Sequence, residues 1–153
     1  MSELKDFLAA IGAVYEPAVK RVNINDKRFV VNPEVAAQIH DRGRIVYAGK
    51  LLGRTKREFM PGSSLLRELS KIKGPNKVWV DERVGWLFVC GRDIFEESII
   101  RAEGVLDEDA CFLVMLGEDC LGYVRIQTQD GRKLLRNIFD LGDFLRRERR
   151  IIE

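Results

Sequence analysis

The chain is poorest in the groups that covalent catalysis and metal binding use: it has one histidine and three cysteines in 153 residues. The histidine is His40. The cysteines are Cys90, Cys111 and Cys120, and none forms a C-x-x-C pair, so a zinc site with four ligands has too few donors and a disulfide framework has an odd count. No metal, no cofactor and no catalytic residue is expected. A serine or cysteine nucleophile needs a nearby base, and His40 falls in a different predicted domain from all three thiols. The acids cluster as Glu96-Glu97 and Asp107-Glu108-Asp109, which reads as solvation of a helix face and a loop rather than an acid-base pair in one cleft. In the simplest reading the cysteines are small buried hydrophobes in strands.

Long hydrophobic runs are also missing. No apolar stretch approaches the roughly 18 to 20 residues that span a bilayer, and Met1-Ser2-Glu3-Leu4-Lys5 lacks the basic flank and apolar core of a signal peptide. The expectation is a soluble, intracellular, non-membrane protein. A phosphate-binding P-loop is absent too. Gly49-Lys50-Leu51-Leu52-Gly53-Arg54-Thr55 has three residues between its glycines where the motif needs four, and arginine where it needs lysine. The chain should neither bind nor hydrolyse ATP or GTP, and these glycines read as a turn where two backbones approach closely. Arg54, Lys56 and Arg57 after them are either an accessory RNA contact or a solvated edge.

What is present is apolar material for a globular core, 46% of the residues, and charge that is unevenly placed. The net charge is only +2. Yet residues 42 to 77 hold ten Lys or Arg against two acids, a balance of +8. Residues 81 to 120 hold three against eleven, or −8, and residues 121 to 153 hold eight against five, or +3. A basic face for a polyanion and an acidic face for something else follow from that asymmetry.

Leu4, Phe7, Leu8 and Ile11 at helical spacing predict a core-facing helix over about 2 to 15. Arg21 to Asn32 alternates about Asn25-Asp26 as a hairpin, and Asn32-Pro33-Glu34 starts a short helix with His40 at its end. Arg44 to Ala48 reads as a strand leading into the Gly49 to Thr55 loop. Ser63 or Ser64 caps a helix carrying Leu65, Leu66, Leu69 and Ile72, and Gly74-Pro75 interrupts it, placing a domain boundary there: 1–74 and 75–153. Beyond it, Lys77-Val78-Trp79 and Leu87 to Gly91 read as strands. Asp93 with Glu96 predicts a helix from Asp93 to Ala102, stopped at Gly104. Ala110 to Leu116 is an unbroken apolar run that suits a strand buried on both faces. It forms a hairpin with Leu121 to Thr128 through Gly117-Glu118-Asp119-Cys120. Short strands with few helices suggest a small barrel or sandwich.

Lys77-Val78-Trp79, Gly91, Leu121-Gly122-Tyr123, Thr128-Gln129-Asp130 with Arg132-Lys133, and Asp140-Leu141-Gly142 ending in Phe144-Leu145-Arg146 together resemble the Nip-seven family of PUA-domain ribosome-biogenesis factors. The likeness covers roughly residues 44 to 149, is most specific in its last third, and leans towards an archaeal-type member. It implies an α+β protein with an N-terminal α/β domain and a C-terminal PUA pseudo-barrel, mostly β with short helices. It also implies RNA binding in large-subunit assembly and pre-rRNA processing, with other assembly or RNA-processing factors, the exosome among them, as partners, and a cytoplasmic location in an archaeal-type cell.

Arg132, Lys133 and Arg136, with Arg146, Arg147, Arg149 and Arg150, are the expected RNA contacts, since guanidinium groups pair with phosphates and stack on unpaired bases. The acidic stretch 81 to 120 suits a basic protein partner. Tyr123, Phe139 and Phe144 lie among these basic residues but in apolar contexts that favour core packing. Two other readings stay open: an accessory PUA module serving an RNA-modifying enzyme on another chain, and a protein-only scaffold with incidental basic patches.

Overall fold

The computed structural model describes residues 4–15, 20–31, 33–39, 48–143 and 146. The stripe Leu4, Phe7, Leu8 forms the buried side of α1 (Leu4–Ala10). β1 (Lys20–Ile24) and β2 (Lys27–Val31) pair around Asn25-Asp26, where Asn25 takes a positive φ of 53°. That conformation is open to asparagine at little cost. The short helix α2 (Pro33–Ala37) follows as expected. His40 and residues 41–47 lie outside the described residues, and with them most of the expected 44–48 strand.

The expected loop from Gly49 to Thr55 is instead mostly strand β3 (Lys50–Thr55), which joins β2 to β4 (Phe59–Pro61) in a four-stranded antiparallel sheet, β1-β2-β3-β4. The close approach does hold. A Cβ on Gly53 would collide with the Met60 carbonyl oxygen and one on Gly49 with that of Val30. α3 (Ser63–Lys71) is capped by Gly62, not by either serine, and buries Leu65, Leu66 and Leu69.

All strands of the second sheet follow Gly74. β5 (Lys77–Trp79), β6 (Ile94–Phe95), β7 (Arg101–Glu103), β8 (Cys111–Leu116), β9 (Asp119–Gln129) and β10 (Arg132–Asp140) are ordered β6-β10-β9-β8-β5-β7. Every pairing is antiparallel except β5 with β8. The expected α+β class is the observed one, and this second sheet curls into a half-barrel.

Two elements differ from expectation. The helix lies at α4 (Glu82–Val89), across the run read as a strand, and residues 93–102 form β6, a single 3-10 turn at Glu96–Ser98 and the start of β7. Asp81, not Asp93, is the capping residue: its Oδ1 accepts the Val84 N–H at 2.8 Å. Asp93 is unavailable as a cap, because its Oδ1 accepts from the Asn137 N–H, 44 residues away. Gly85 concealed the helix, since glycine weakens helical propensity. Its place is set by packing, as a Cβ there would lie 3.1 Å from Leu121 Cδ1. Gly91 and Gly104 both take positive φ, 94° and 113°, but only Gly91 follows a helix.

β8 is buried on both faces, as its composition requires. Phe112 and Val114 point into a core with Val78, Phe88, Val124 and Leu135. Cys111, Leu113 and Met115 point the other way and join Tyr123 under Phe7, Phe59 and the α3 leucines. The Phe7 ring meets Tyr123 edge-on, with centroids 5.3 Å apart. The N-terminal half is thus packed on the outer face of β8 and β9.

Candidate nucleic-acid interface

β9 and β10 are joined by the two-residue turn Asp130-Gly131, both at positive φ, and stay in register from Arg132↔Gln129 to Asn137↔Val124. Side chains alternate faces along a strand. Leu135 and Ile126 therefore point into the core, whereas Arg132, Leu134 and Arg136 share the outer face with Gln129, Gln127 and Arg125. β6 adds Phe95 to this face, directly opposite Leu134. Further along, the same face is covered by the N-terminal half at Tyr123 and Leu113. The edge of the cover is marked by Arg125, 3.6 Å from Glu58. Beyond Arg125 the face is open.

Phe95 is the pivot of the open part. The residue is 61% exposed, and it lines two adjoining hollows. One, of about 520 Å³, is bounded by Gln129, Asp130, Arg132, Lys133 and Leu134. The other, of about 610 Å³, is bounded by Leu87, Gly91, Arg92, Asp93, Gln129 and Leu134. A large aromatic left in water beside three cationic side chains suits a base stacked on the ring with its phosphates on the cations. Arg136 donates to Gln127 Oε1 at 3.2 Å, and Arg132 has no side-chain partner among the described residues. Lys133 alternates to the opposite face, close enough to Glu108 to help hold that carboxyl below its ordinary range. The larger causes there are the two hydrogen bonds that Glu108 accepts from Thr128.

Of the expected contacts, Arg132 and Arg136 thus share the open face, and Lys133 borders the same hollow from the other side of the strand. Arg146 is held elsewhere, by an internal network. Its Nη1 and Nη2 donate to Asp140 Oδ1 and Oδ2 at 3.0 and 2.7 Å, and Nη1 also donates to the Val89 carbonyl at 2.6 Å. Asp140 is buried and further accepts from the Gly142 N–H and from Asn137 Nδ2. Asn137 Nδ2 also reaches the Phe88 carbonyl. The network ties the chain end to the turn after α4, and it packs so closely that a Cβ on Gly91 would sit 3.3 Å from the Arg146 guanidinium carbon. The hydrogen bonds to Asp140 raise the already high pKa of Arg146 further. Arg147, Arg149 and Arg150, like Phe144, lie outside the described residues.

Sequence reasoning missed Phe95, Arg92, Arg125 and Asn137. Phe95 was hidden inside the expected helix at 93–102. Arg125 lay in a recognised strand, but its exposure depends on where the N-terminal half stops. Tyr123 is buried, as its apolar context indicated. Cys111 is buried as well, and burial raises its thiol pKa and pushes that of Cys120 up to about 11. Cys90 departs from the buried-strand expectation, being exposed at the end of α4. Lys77, one of the basic residues of the 42–77 segment, is buried, with its ammonium donating to the Ile72 carbonyl at 2.8 Å.

Residues 76–149 match the family model described as the UPF0113 PUA domain. A relative described as a UPF0113 protein, from Archaeoglobus fulgidus, is 31% identical over 114 residues. That match takes in 67% of this chain and 63% of the relative, so the chain spans less than two thirds of that protein's length.

Proposed function

We propose that this PUA-domain protein is a non-enzymatic factor that binds single-stranded RNA, uridine-rich RNA included, on the open face of β9 and β10. PUA domains are RNA-binding modules, and the observation that carries the reading is Phe95, exposed between two hollows that Arg92, Arg132 and Lys133 border. Single-stranded RNA is the form of nucleic acid that such a surface suits, because unpaired bases are free to stack on a side chain. The protein acts in large-subunit assembly and pre-rRNA processing, as a cytoplasmic, archaeal-type member of the Nip-seven family. Its partners are pre-rRNA and other assembly or processing factors, the exosome among them. The acidic stretch 81 to 120 supports a basic protein partner.

Two measurements test this. Crosslinking and sequencing of bound RNA should recover precursor ribosomal RNA; recovery of RNA without it would end the biogenesis reading. Fluorescence anisotropy at several salt concentrations tests the surface. Each phosphate neutralised on a single strand contributes about −0.7 to the slope of log affinity against log salt. Arg132→Ala with Arg136→Ala should therefore make the slope shallower by about 1.4 and weaken uridine-rich and mixed RNAs alike. An unchanged slope would place the RNA elsewhere.

A further inference from the structure

Past Arg136 the outer face of β10 runs along the edge of the N-terminal half, and Phe139 there is only partly buried. The register shift between Asn137 and Phe139 returns Phe139 to the side of its cross-strand partner Tyr123, so the strand carries Arg132, Leu134, Arg136 and Phe139 along one face. Phe139 then forms one wall of a groove of about 540 Å³ between the two halves of the chain. Met60, Pro61 and Leu141 give the groove an apolar floor, and Arg54 and Lys56 stand at its rim. Both basic side chains are exposed, and neither has a side-chain partner among the described residues. Asp143, the acid that lines the groove among the described residues, lies 4.0 Å from the Arg146 guanidinium. The start of α3 also opens here: Ser63 lines the groove, the first turn has no acidic residue, and Gly62 supplies no side-chain cap. First-turn N–H groups left in this way favour an anion.

We propose that this groove is a second RNA subsite, and that a strand lying on Arg132 and Arg136 continues into it. Its phosphates meet Arg54 and Lys56, and a base rests against Met60, Phe139 and Leu141. The occupant follows from charge complementarity and from continuity. Arg136 and Phe139 are three residues apart on one strand, roughly 10 Å, so one extended chain reaches both. The inference rests on the RNA-binding reading above and assigns the N-terminal half a share of the footprint.

The test uses the full chain, with Arg54→Ala plus Lys56→Ala set beside Arg132→Ala plus Arg136→Ala. Binding is measured by anisotropy on uridine oligomers of about four and about twelve nucleotides. The groove variant should bind the short oligomer as wild type does. For the long oligomer its salt slope should be shallower by about 1.4, so that raising salt from about 50 to 200 mM weakens it about sevenfold less than wild type. An unchanged slope on the long oligomer overturns the groove while the sheet-face reading stands. If the groove variant alone loses binding, the groove is supported and the sheet face is not. Failure of wild type to bind either oligomer overturns both.

Discussion

At the scale of single residues, two side chains on one domain carry opposite expectations. Phe95 is mostly in water, so Phe95→Ala removes little packing, yet it removes the platform on which a base would stack. Affinity for single-stranded RNA should fall by about 1 to 3 kcal/mol, with the midpoint of thermal unfolding nearly unchanged. Phe95→Trp should retain binding, and equal affinity of the alanine variant and wild type would remove Phe95 from the interface. Arg146 is the converse. Arg146→Ala leaves the buried Asp140 carboxylate without its cationic partner, and breaking a fully buried pair costs roughly 3 to 5 kcal/mol. The Arg146 side chain is 39% exposed, so water takes over part of its role and about 2 kcal/mol is the expected loss. Urea unfolding measures it. Arg146→Lys should recover less than half, because an ammonium cannot span both carboxylate oxygens as the guanidinium does.

Among the elements, the pairing of β9 with β10 depends on one glycine. Gly122 has a φ of 149° and faces Asp140 just past the register shift, where a Cβ would collide with the Phe139 carbonyl oxygen. Gly122→Ala must move one strand off the other or reshape the bulge. Strain at a backbone conformation that other residues avoid, added to that collision, should cost about 2 to 3 kcal/mol. The amide of Leu141, which donates to the Leu121 carbonyl at 2.9 Å, should lose protection from hydrogen exchange. Full protection in the variant would show that the bulge absorbs the methyl group.

For the whole molecule, the two sheets lie on either side of Gly74 while one apolar cluster unites both halves. We propose Gly74-Pro75 as the domain boundary, and a fragment of residues 75–153 tests it. The core of Val78, Phe88, Phe112, Val124 and Leu135 lies wholly within that fragment. Circular dichroism should therefore show a folded β-rich domain. Its unfolding midpoint should lie below that of the full chain, since Leu113, Met115 and Tyr123 lose their cover. A fragment without β signal would mean that the half-barrel needs the N-terminal half to fold.

The sequence alone determined the features that depend on neighbours along the chain. The stripe of α1, the β1-β2 turn, the leucine face of α3 and the two-sided burial of β8 follow from periodicity and turn chemistry within a few residues. Arg132, Lys133 and Arg136 were picked out by their charge and by the family resemblance, whereas the Asp130-Gly131 turn and the strand that present them came from the structure. Only the tertiary structure decided which acid near residues 81 to 93 would cap a helix, because Asp93 is claimed by Asn137 from a strand 44 residues on. It likewise decided that Arg146 is held by Asp140 and Val89, and that Tyr123 is covered while Arg125 is not. Exposure and pairing are settled by the residues that arrive from elsewhere in the chain, and local patterning carries no record of them.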